Sequence, residues 1–235
     1  MTRLEREIKL ALTADEHARL RAAWDPAARV LEQRNYYLDT IDGRLQCHGY
    51  GLRLRIEDGP VHTLTLKGPP LEEPAARAAG YSVRTEQEAH LTAEQAAALL
   101  RGASALPDLP LHLPAELTGA VQGGELQNLG LLANRRRVYA AGLPMTPGKG
   151  TISPGKDGPT LMLELDESRF PDGSRDYELE IELQDLPPDQ IPTNRALQDF
   201  LAQWAIPWCP RSASKLARFL ERRAGGGGSA QCGPA

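Results

Sequence analysis

The residues best suited to chemistry stand near the start of the chain. Glu5, Glu7 and Lys9 alternate with apolar Ile8 and Leu10, and alternate residues of a strand point to the same face. Paired carboxylates can hold a divalent cation, and an ammonium beside them can bind a phosphate oxygen. A strand with one charged face normally turns it to water. The pattern recurs in later segments with both charge signs, so a second interpretation is that the charged faces look at one another across a closed barrel.

The later segments repeat the alternation of charged and apolar residues. Acidic and basic residues share the predicted polar faces of these strands: Glu5, Glu7, Glu86, Glu88, Glu164, Asp166, Glu178, Glu180 and Glu182 with Lys9, Arg53, Arg55, Lys67, Arg84, Arg135 and Arg137. Burying such carboxylates without partners would cost several kcal/mol per ion. Facing cationic strands, or bound metal ions, would supply the missing charge.

This set of residue types favours phosphate chemistry. Oxygen ligands without a cluster of His or Cys indicate a hard ion, Mg²⁺ or Mn²⁺, rather than zinc. Arginine forks match phosphate oxygens, and the combination with metal-binding carboxylates is typical of phosphoryl transfer. A solvated sheet face of mixed charge would have the same composition. The residues alone leave both interpretations open.

The elements that must position these side chains can be predicted from periodicity. Capping boxes at Thr13–Glu16 and Thr92–Gln95 begin two helices, the first ending near Trp24. Apolar stripes of helical period return near the C-terminus, and the alternating segments predict strands. The strand segments lie at 4–10, 36–39, 52–56, 63–67, 83–88, 132–140, 161–166 and 177–183. We therefore expect an α+β fold.

Composition bounds the class of protein. The chain has 235 residues, 41% hydrophobic and 25% charged, with a net charge of -4; this is globular, and it argues against a nucleic-acid or membrane-surface partner. A charged opening and the lack of a long apolar run predict a cytoplasmic protein. One domain is expected over residues 1–223, followed by a disordered Gly-rich tail at 224–235.

At this point the sequence resembles a known family. ExExK at 5–9 resembles the signature of the triphosphate tunnel metalloenzymes, the CYTH superfamily. Further segments match in the same order: YYLDT at 36–40, GLRLR at 51–55, LTLKG at 64–68, RxExE at 84–88, RRR at 135–137, LELD at 163–166, ELEIEL at 178–183 and SKLAR at 214–218. The likeness covers roughly residues 3–221, nearly the whole chain.

The resemblance implies an eight-stranded antiparallel β-barrel with a polar lumen and helices packed outside. Its tunnel would hold a triphosphate or polyphosphate and one or two Mg²⁺ or Mn²⁺ ions. The implied phosphate-binding residues are Lys9, Arg53, Arg55, Lys67, Arg84, Arg135, Arg137 and Lys215. Asp166, Glu180 and Glu182 would hold the ion that orients the triphosphate. Glu5 and Glu7 would hold a second ion that activates water, with Lys9 completing the catalytic set.

The family divides by reaction, and the resemblance implies which branch to expect. EIKLALTADEHARL and the SKLAR segment look most like bacterial inorganic triphosphatases. We therefore expect hydrolysis of the terminal phosphate of inorganic triphosphate, with thiamine or nucleoside triphosphate as other substrates. A class IV adenylyl cyclase and a non-catalytic polyphosphate binder are the alternatives. The sequence leaves the substrate's non-phosphate end and the oligomeric state open.

Overall fold

The computed structural model describes residues 2–59, 61–74, 76, 80–120, 124–142, 160–183, 186–187, 190–211 and 213–223. The predicted tail at 224–235 and the Gly/Pro-rich segment at 144–159 lie outside the described residues. In the described part, no helix is long and apolar enough to cross a membrane.

Eight strands form a closed barrel, which confirms the predicted architecture. They are β1 Thr2–Leu12, β2 Arg29–Thr40, β3 Gly51–Glu57, β4 His62–Pro70, β5 Ser82–Leu91, β6 Leu126–Gly142, β7 Thr160–Arg169 and β8 Arg175–Glu182. The order around the barrel is β1-β5-β4-β3-β2-β6-β7-β8, and each neighbouring pair is antiparallel. Closure leaves no free sheet edge.

Six α-helices in the described residues surround the barrel. They are α1 Ala14–Trp24, α2 Arg44–Cys47, α3 Ala93–Leu100, α4 Ala115–Ala120, α5 Asn194–Ala202 and α6 Lys215–Arg223, with 3-10 turns at Asp25–Ala27 and Leu106–Asp108. Both predicted capping boxes are present: Thr13 with Glu16 begins α1, and Thr92 with Gln95 begins α3. Each satisfies backbone N–H groups that the first helical turn leaves unpaired.

The hydrophobic core lies outside the barrel, between its wall and the helices. One cluster joins the outward residues of β1, β7 and β8 to α1 and α5: Ile8, Leu10, Leu163, Leu165, Leu179 and Ile181 against Leu20, Trp24, Leu197 and Phe200. A second joins β3 and β4 to α3: Leu52, Leu54, Leu64 and Leu66 against Ala96 and Leu99. Full burial of such side chains stabilises the fold by about 1.5–3 kcal/mol each. Because alternate residues point to opposite faces, the charged set must point inward.

Helix α6 packs across one end of the barrel, where β3 begins and β7 ends. A Cβ at Gly51 would come 2.8 Å from Leu216 Cδ2, so the glycine permits this close approach. Gly130 has a φ of +132° beside a bulge in β6, and its missing Cβ leaves room for Phe219. The Phe219 ring in turn lies 5.0 Å from that of Tyr37. This end of the barrel is therefore occupied by the helix.

Candidate functional site

The barrel encloses a cavity of about 390 Å³ lined mainly by charged side chains. Most of the residues predicted to act together do meet there: Glu5, Glu7, Lys9, Arg53, Arg55, Lys67, Arg84, Glu180, Glu182 and Lys215 all line it. The strand pattern explains why. Glu5, Glu7 and Lys9 share the inward face of β1, whose outward Ile8 and Leu10 are buried in the core. The charged faces thus look at one another, as the barrel interpretation required.

One part of the interior is saturated with ion pairs. Arg136 contacts three carboxylates at once: it donates to Asp166 at 2.9 and 2.6 Å and to Glu180 at 2.5 Å, and it also pairs with Glu164. Lys215, the first residue of α6, lies 2.8 Å from Asp166 and 2.9 Å from Glu180 and pairs with Glu178. Here every described carboxylate is already matched by a cation of the chain.

These ion pairs shift the pKa values of the groups involved. Burial alone would raise the pKa of Asp166, but the charges of Arg136 and Lys215 outweigh it and lower that pKa to about 2. Burial likewise opposes the charged form of Lys215, yet the surrounding carboxylates, Asp166 first, hold its pKa well above the ordinary value. Asp166 and Lys215 are therefore ionised at neutral pH, because the burial cost of each is offset by opposite charges.

Three guanidinium groups in the same cavity lack such compensation. Arg53, Arg55 and Arg84 have no carboxylate within 4.0 Å among the described residues. Arg55 donates to Asn35 Oδ1 at 2.9 Å, Arg53 contacts Thr65 Oγ1 at 3.4 Å, and Arg84 reaches the carbonyl of Gly68 at 3.3 Å. Burial, with Arg53 and Arg136 nearby, lowers the pKa of Arg55 to about 9. A site with surplus positive charge of this kind favours an anionic ligand.

Three carboxylates, which we call the carboxylate trio, line the same cavity as these arginines. Glu5, Glu7 and Glu182 each offer an oxygen within 4.8 Å of the other two. Lys67 pairs with Glu5 and Lys9 pairs with Glu7, whereas no cation of the described residues pairs with Glu182. Burial, followed by the repulsion of nearby carboxylates, raises the pKa of Glu182 well above the ordinary value. Among the described residues the three carboxylates therefore pair with two cations, which leaves the trio one positive charge short.

The donor set fits a hard divalent cation. Among the residues that the structure describes, Glu5 Oε2 is buried with no hydrogen-bond partner, and a metal ion is the kind of group that would satisfy it. Glu164, Glu180 and Glu182 form a second group of the same geometry. A third group, Asp166, Glu178 and Glu180, already surrounds the ammonium of Lys215. All the donors are carboxylate oxygens, which suits Mg²⁺ or Mn²⁺.

The structure corrects one part of the sequence-based prediction. Arg135 and Arg137 were expected inside the tunnel, but they point outward: Arg135 lies half exposed at 2.8 Å from Glu32, and Arg137 lies 3.1 Å from Asp25. Their face of β6 also carries Tyr139, which packs in the outer core against Trp24. The inward residue is Arg136, which sequence reasoning missed. Tyr139 is aromatic and lies on the same strand face as Arg135 and Arg137, so its expected burial in the outer core could have identified Arg136 as the inward residue.

Two acids also differ from the roles that the sequence predicted for them. Asp166, predicted as a metal ligand, does not line the cavity; it accepts from Arg136 and from Asn134 Nδ2 at 3.0 Å. Glu164, assigned no metal role from sequence, lines the cavity and belongs to the group with Glu180 and Glu182. Burial raises its pKa to about 7 despite Arg136.

A closed barrel whose interior carries facing arginines and carboxylates forms a charged tunnel. The CYTH domain description matches residues 3–193. The chain belongs to the CYTH family. Among curated proteins, none matches this sequence.

Solved structures agree with this membership. A proposed adenylyl cyclase from Hippeastrum, described as having a dominant triphosphatase activity, has a TM-score of 0.69 and 26% identity; the match covers 92% of this chain and 95% of that one. A proposed adenylate cyclase from Bacillus halodurans has a TM-score of 0.61 and 24% identity, covering 93% and 98%. A protein from Pyrococcus horikoshii has a TM-score of 0.54 and 16% identity, covering 93% and 99%. The last two show the shared fold alone.

Proposed function

We propose that this protein hydrolyses the terminal phosphate of a triphosphate with the help of Mg²⁺ or Mn²⁺, and that inorganic triphosphate is its first substrate. One observation carries the proposal: the same cavity holds guanidinium groups without acidic partners and a carboxylate trio short of positive charge. The first arrangement suits phosphate oxygens and the second suits metal ions. A metal-bound triphosphate would supply both missing charges at once.

The proposed roles follow from the contacts of each side chain. Arg53, Arg55 and Arg84 would bind phosphate oxygens, since each can donate without breaking an ion pair. Lys9 and Lys67 would turn from Glu7 and Glu5 toward the phosphates as those carboxylates take a metal ion. When bound, the ion would neutralise phosphate charge and lower the pKa of a coordinated water. Glu5, Glu7 and Glu182 would hold it, whereas a second ion at Glu164 and Glu180 would have to displace the cations that now pair with them.

Cyclisation of ATP is the second candidate, and it rests on the name of the Hippeastrum relative, a proposed adenylyl cyclase with dominant triphosphatase activity. A cyclase must hold adenine so that the ribose hydroxyl can attack. The aromatic residues among the described cavity lining are Tyr37 and Tyr50. Tyr37 packs on Phe219 and Tyr50 donates to Glu116, and both are buried. Neither offers a free ring face to a base, which favours hydrolysis.

A non-catalytic polyphosphate binder is the third candidate. Phosphate binding alone would need only the cationic residues Arg53, Arg55 and Arg84. Glu5, Glu7 and Glu182 would repel a polyanion in the absence of metal, so their presence in the cavity supports a catalytic role. The expected cytoplasmic location and the absence of a nucleic-acid partner stay predictions.

The deciding experiment compares three substrates in one preparation. Purified protein is incubated with Mg²⁺ or Mn²⁺ and inorganic triphosphate, thiamine triphosphate or ATP, and released phosphate and cyclic AMP are measured. We expect phosphate from inorganic triphosphate, none after chelation with EDTA, and recovery when the metal is restored. Cyclic AMP as the main product would establish the cyclase instead. Tight triphosphate binding with neither product would establish the binder.

A further inference from the structure

The outer wall of the barrel is not covered evenly by helices. Helices α1 and α5 pack on β1, β7 and β8, and α3 packs on β3 and β4. Between these two clusters lie the outward residues of 30–34 on β2, 131–135 on β6 and 167–169 on β7, which we call the β2–β6–β7 face. Among the described residues, no hydrophobic cluster includes any of them. This stretch of wall is therefore open to a partner.

Strand pairing places the charges of this face in two rows. Each row takes one residue from β2, one from β6 and one from β7, and these residues are register partners. The arginine row is Arg34, Ala133 and Arg169, and the acidic row is Glu32, Arg135 and Glu167. The rows lie two residues apart along each strand, a spacing of about 6.6–6.8 Å. One row is thus basic on both flanks, and the other is acidic on both flanks.

The two rows differ in how far the chain itself neutralises them. Glu32 pairs with Arg135 at 2.8 Å, and Glu167 pairs with an arginine of β8 at 2.6 Å. Arg34 and Arg169 are exposed and have no ion pair among the described residues. Because a carboxylate has two oxygens and several lone pairs, each glutamate can accept from a second guanidinium. The face therefore has two free cations and two acids with capacity left.

The shape of the face and its apolar residues also suit contact with another molecule. A concavity of about 410 Å³ lies over this part of the wall, and the small side chain of Ala133 is part of its lining. Val30 and Leu131 lie beyond the two rows, on opposite sides of them, and are 45% and 37% exposed. A partner seated on the face would remove both side chains from water, which is favourable.

We propose that the β2–β6–β7 face binds the same face of a second copy of this chain, about a two-fold axis that runs across the strands between the two rows. This rotation turns each row over the opposite row of the other copy. Arg34 then lies over Glu32 of the partner subunit, and Arg169 lies over Glu167 of the partner subunit. The partner's Arg135 faces Ala133, where the concavity gives it room. Such an isologous contact makes every pair twice.

The order of charges favours a second copy over other partners. A polyanion such as nucleic acid would be attracted by the arginine row but repelled by Glu32 and Glu167. A polycation would meet the reverse conflict at Arg34 and Arg169. A surface that carries the two rows in the opposite order matches both, and a second copy turned about this axis presents that order. Complementary charges of this kind determine which surfaces meet.

The test reverses the charge of one row at a time. R34E/R169E makes the flanks of both rows acidic, and E32R/E167R makes them basic. Each variant alone should lose the wild-type dimer, with its dissociation constant raised at least about 100-fold, because like charges then face each other. An equal mixture of the two variants should form a heterodimer, because acidic flanks again face basic ones. Sedimentation velocity up to about 100 μM protein, above the micromolar constants of weak interfaces, measures these states.

A matched control carries the same change of charge elsewhere. R101E/R195E reverses two exposed arginines, at the end of α3 and on α5, and should stay dimeric. Circular dichroism checks that each variant is folded. If E32R/E167R does not fold, the single variants E32R and R34E replace the pair in the same mixing experiment.

Every outcome decides the inference without reference to catalysis. A heterodimer formed from two monomeric variants supports it. A wild type that is monomeric at about 100 μM overturns it, and this is the result expected if another segment of the chain or a different protein covers the face. A dimer that survives R34E/R169E places the contact on another surface, and a mixture of folded variants that stays monomeric removes the proposed pairing. Because no substrate is present, failure of the proposed function would not affect these results.

Discussion

Two regions of the same barrel interior contain similar residues, but in one the charges pair with each other and in the other they do not. Around Asp166, the cations Arg136 and Lys215 neutralise every described carboxylate within reach. Around Glu182, the three carboxylates of the trio pair with two lysines of the described residues, and across the cavity Arg53 and Arg55 have no described carboxylate partner. Composition alone does not distinguish the two regions, since both are made of arginine, lysine and acids on alternating strand positions.

The comparison separates buried charges that stabilise the fold from buried charges that are suited to binding a ligand. A buried ion pair whose partners are both in the chain anchors one element to another, here α6 to the barrel wall. Breaking such a pair is costly because it leaves a buried charge alone. An uncompensated buried group is already costly in the free protein, so a ligand that compensates it gains binding energy. Substitutions in the two regions should therefore affect different observables.

The largest effect is expected at Lys215. The substitution Lys215→Met removes the ammonium from among Asp166, Glu178 and Glu180, and the free energy of unfolding should fall by about 3–5 kcal/mol. Added Mn²⁺ should restore part of the loss, because the vacated trio has metal-ligand geometry. Urea denaturation with and without Mn²⁺ measures both effects. Arg195→Met breaks an exposed pair with Asp199 and should cost less than about 1 kcal/mol; equal losses in the two variants would contradict the contrast.

At Glu7 the effect should appear in turnover rather than stability. Glu7→Gln removes a charged metal ligand at almost constant volume, so kcat should fall on the order of 100-fold, about 2.7 kcal/mol, while KM for triphosphate changes little. Phosphate-release kinetics and calorimetric binding separate the two quantities. Glu167→Gln, at a carboxylate paired with Arg175 outside the cavity, is the control. Near-normal hydrolysis by Glu7→Gln would remove the trio from the mechanism.

At Arg55 binding should weaken while the fold is unharmed. Arg55→Ala deletes a charge-assisted phosphate contact worth about 1.5–3 kcal/mol, so Kd for metal-bound triphosphate should rise correspondingly. Stability should hold or increase, since buried Arg55 contacts Asn35 and has no carboxylate within 4.0 Å among the described residues. Calorimetry and thermal unfolding test the two statements together. A loss of stability without a change in Kd would move Arg55 to the structural region.

The smallest effect is expected at Arg135, which lies on the outward face of β6. Arg135 is half exposed and pairs with Glu32 on the outer surface, an interaction worth about 0–1 kcal/mol. Arg135→Ala should leave both triphosphate binding and kcat unchanged, and it serves as a matched arginine control for Arg55→Ala. A tenfold rise in Kd would restore the role first predicted from sequence.

The alternation of charged and apolar residues correctly predicted which side chains line the cavity on strands where the alternation is regular. On β1 and β8 the charged positions alternate with leucine and isoleucine, so burial of one face fixes the direction of the other. On β6 the run Asn134-Arg135-Arg136-Arg137 has charge on both faces, and the pattern is ambiguous. The bulge that shifts the pairing between Tyr37 and Leu38 adds to this, because one extra residue in β6 there interrupts regular pairing with β2.

The sequence by itself determined the eight strands, the apolar outward faces of strands such as β1 and β8, the two capping boxes and the charge types that meet inside. These follow from local periodicity and hydrogen bonding, which nearby residues control. Only the tertiary structure decided which charges neutralise each other. Lys215 and Arg136 reach Asp166 from α6 and β6, which are distant from it in sequence. Coulomb energy depends on distance in space and on burial, and neither is set until the barrel has closed and α6 has packed against it.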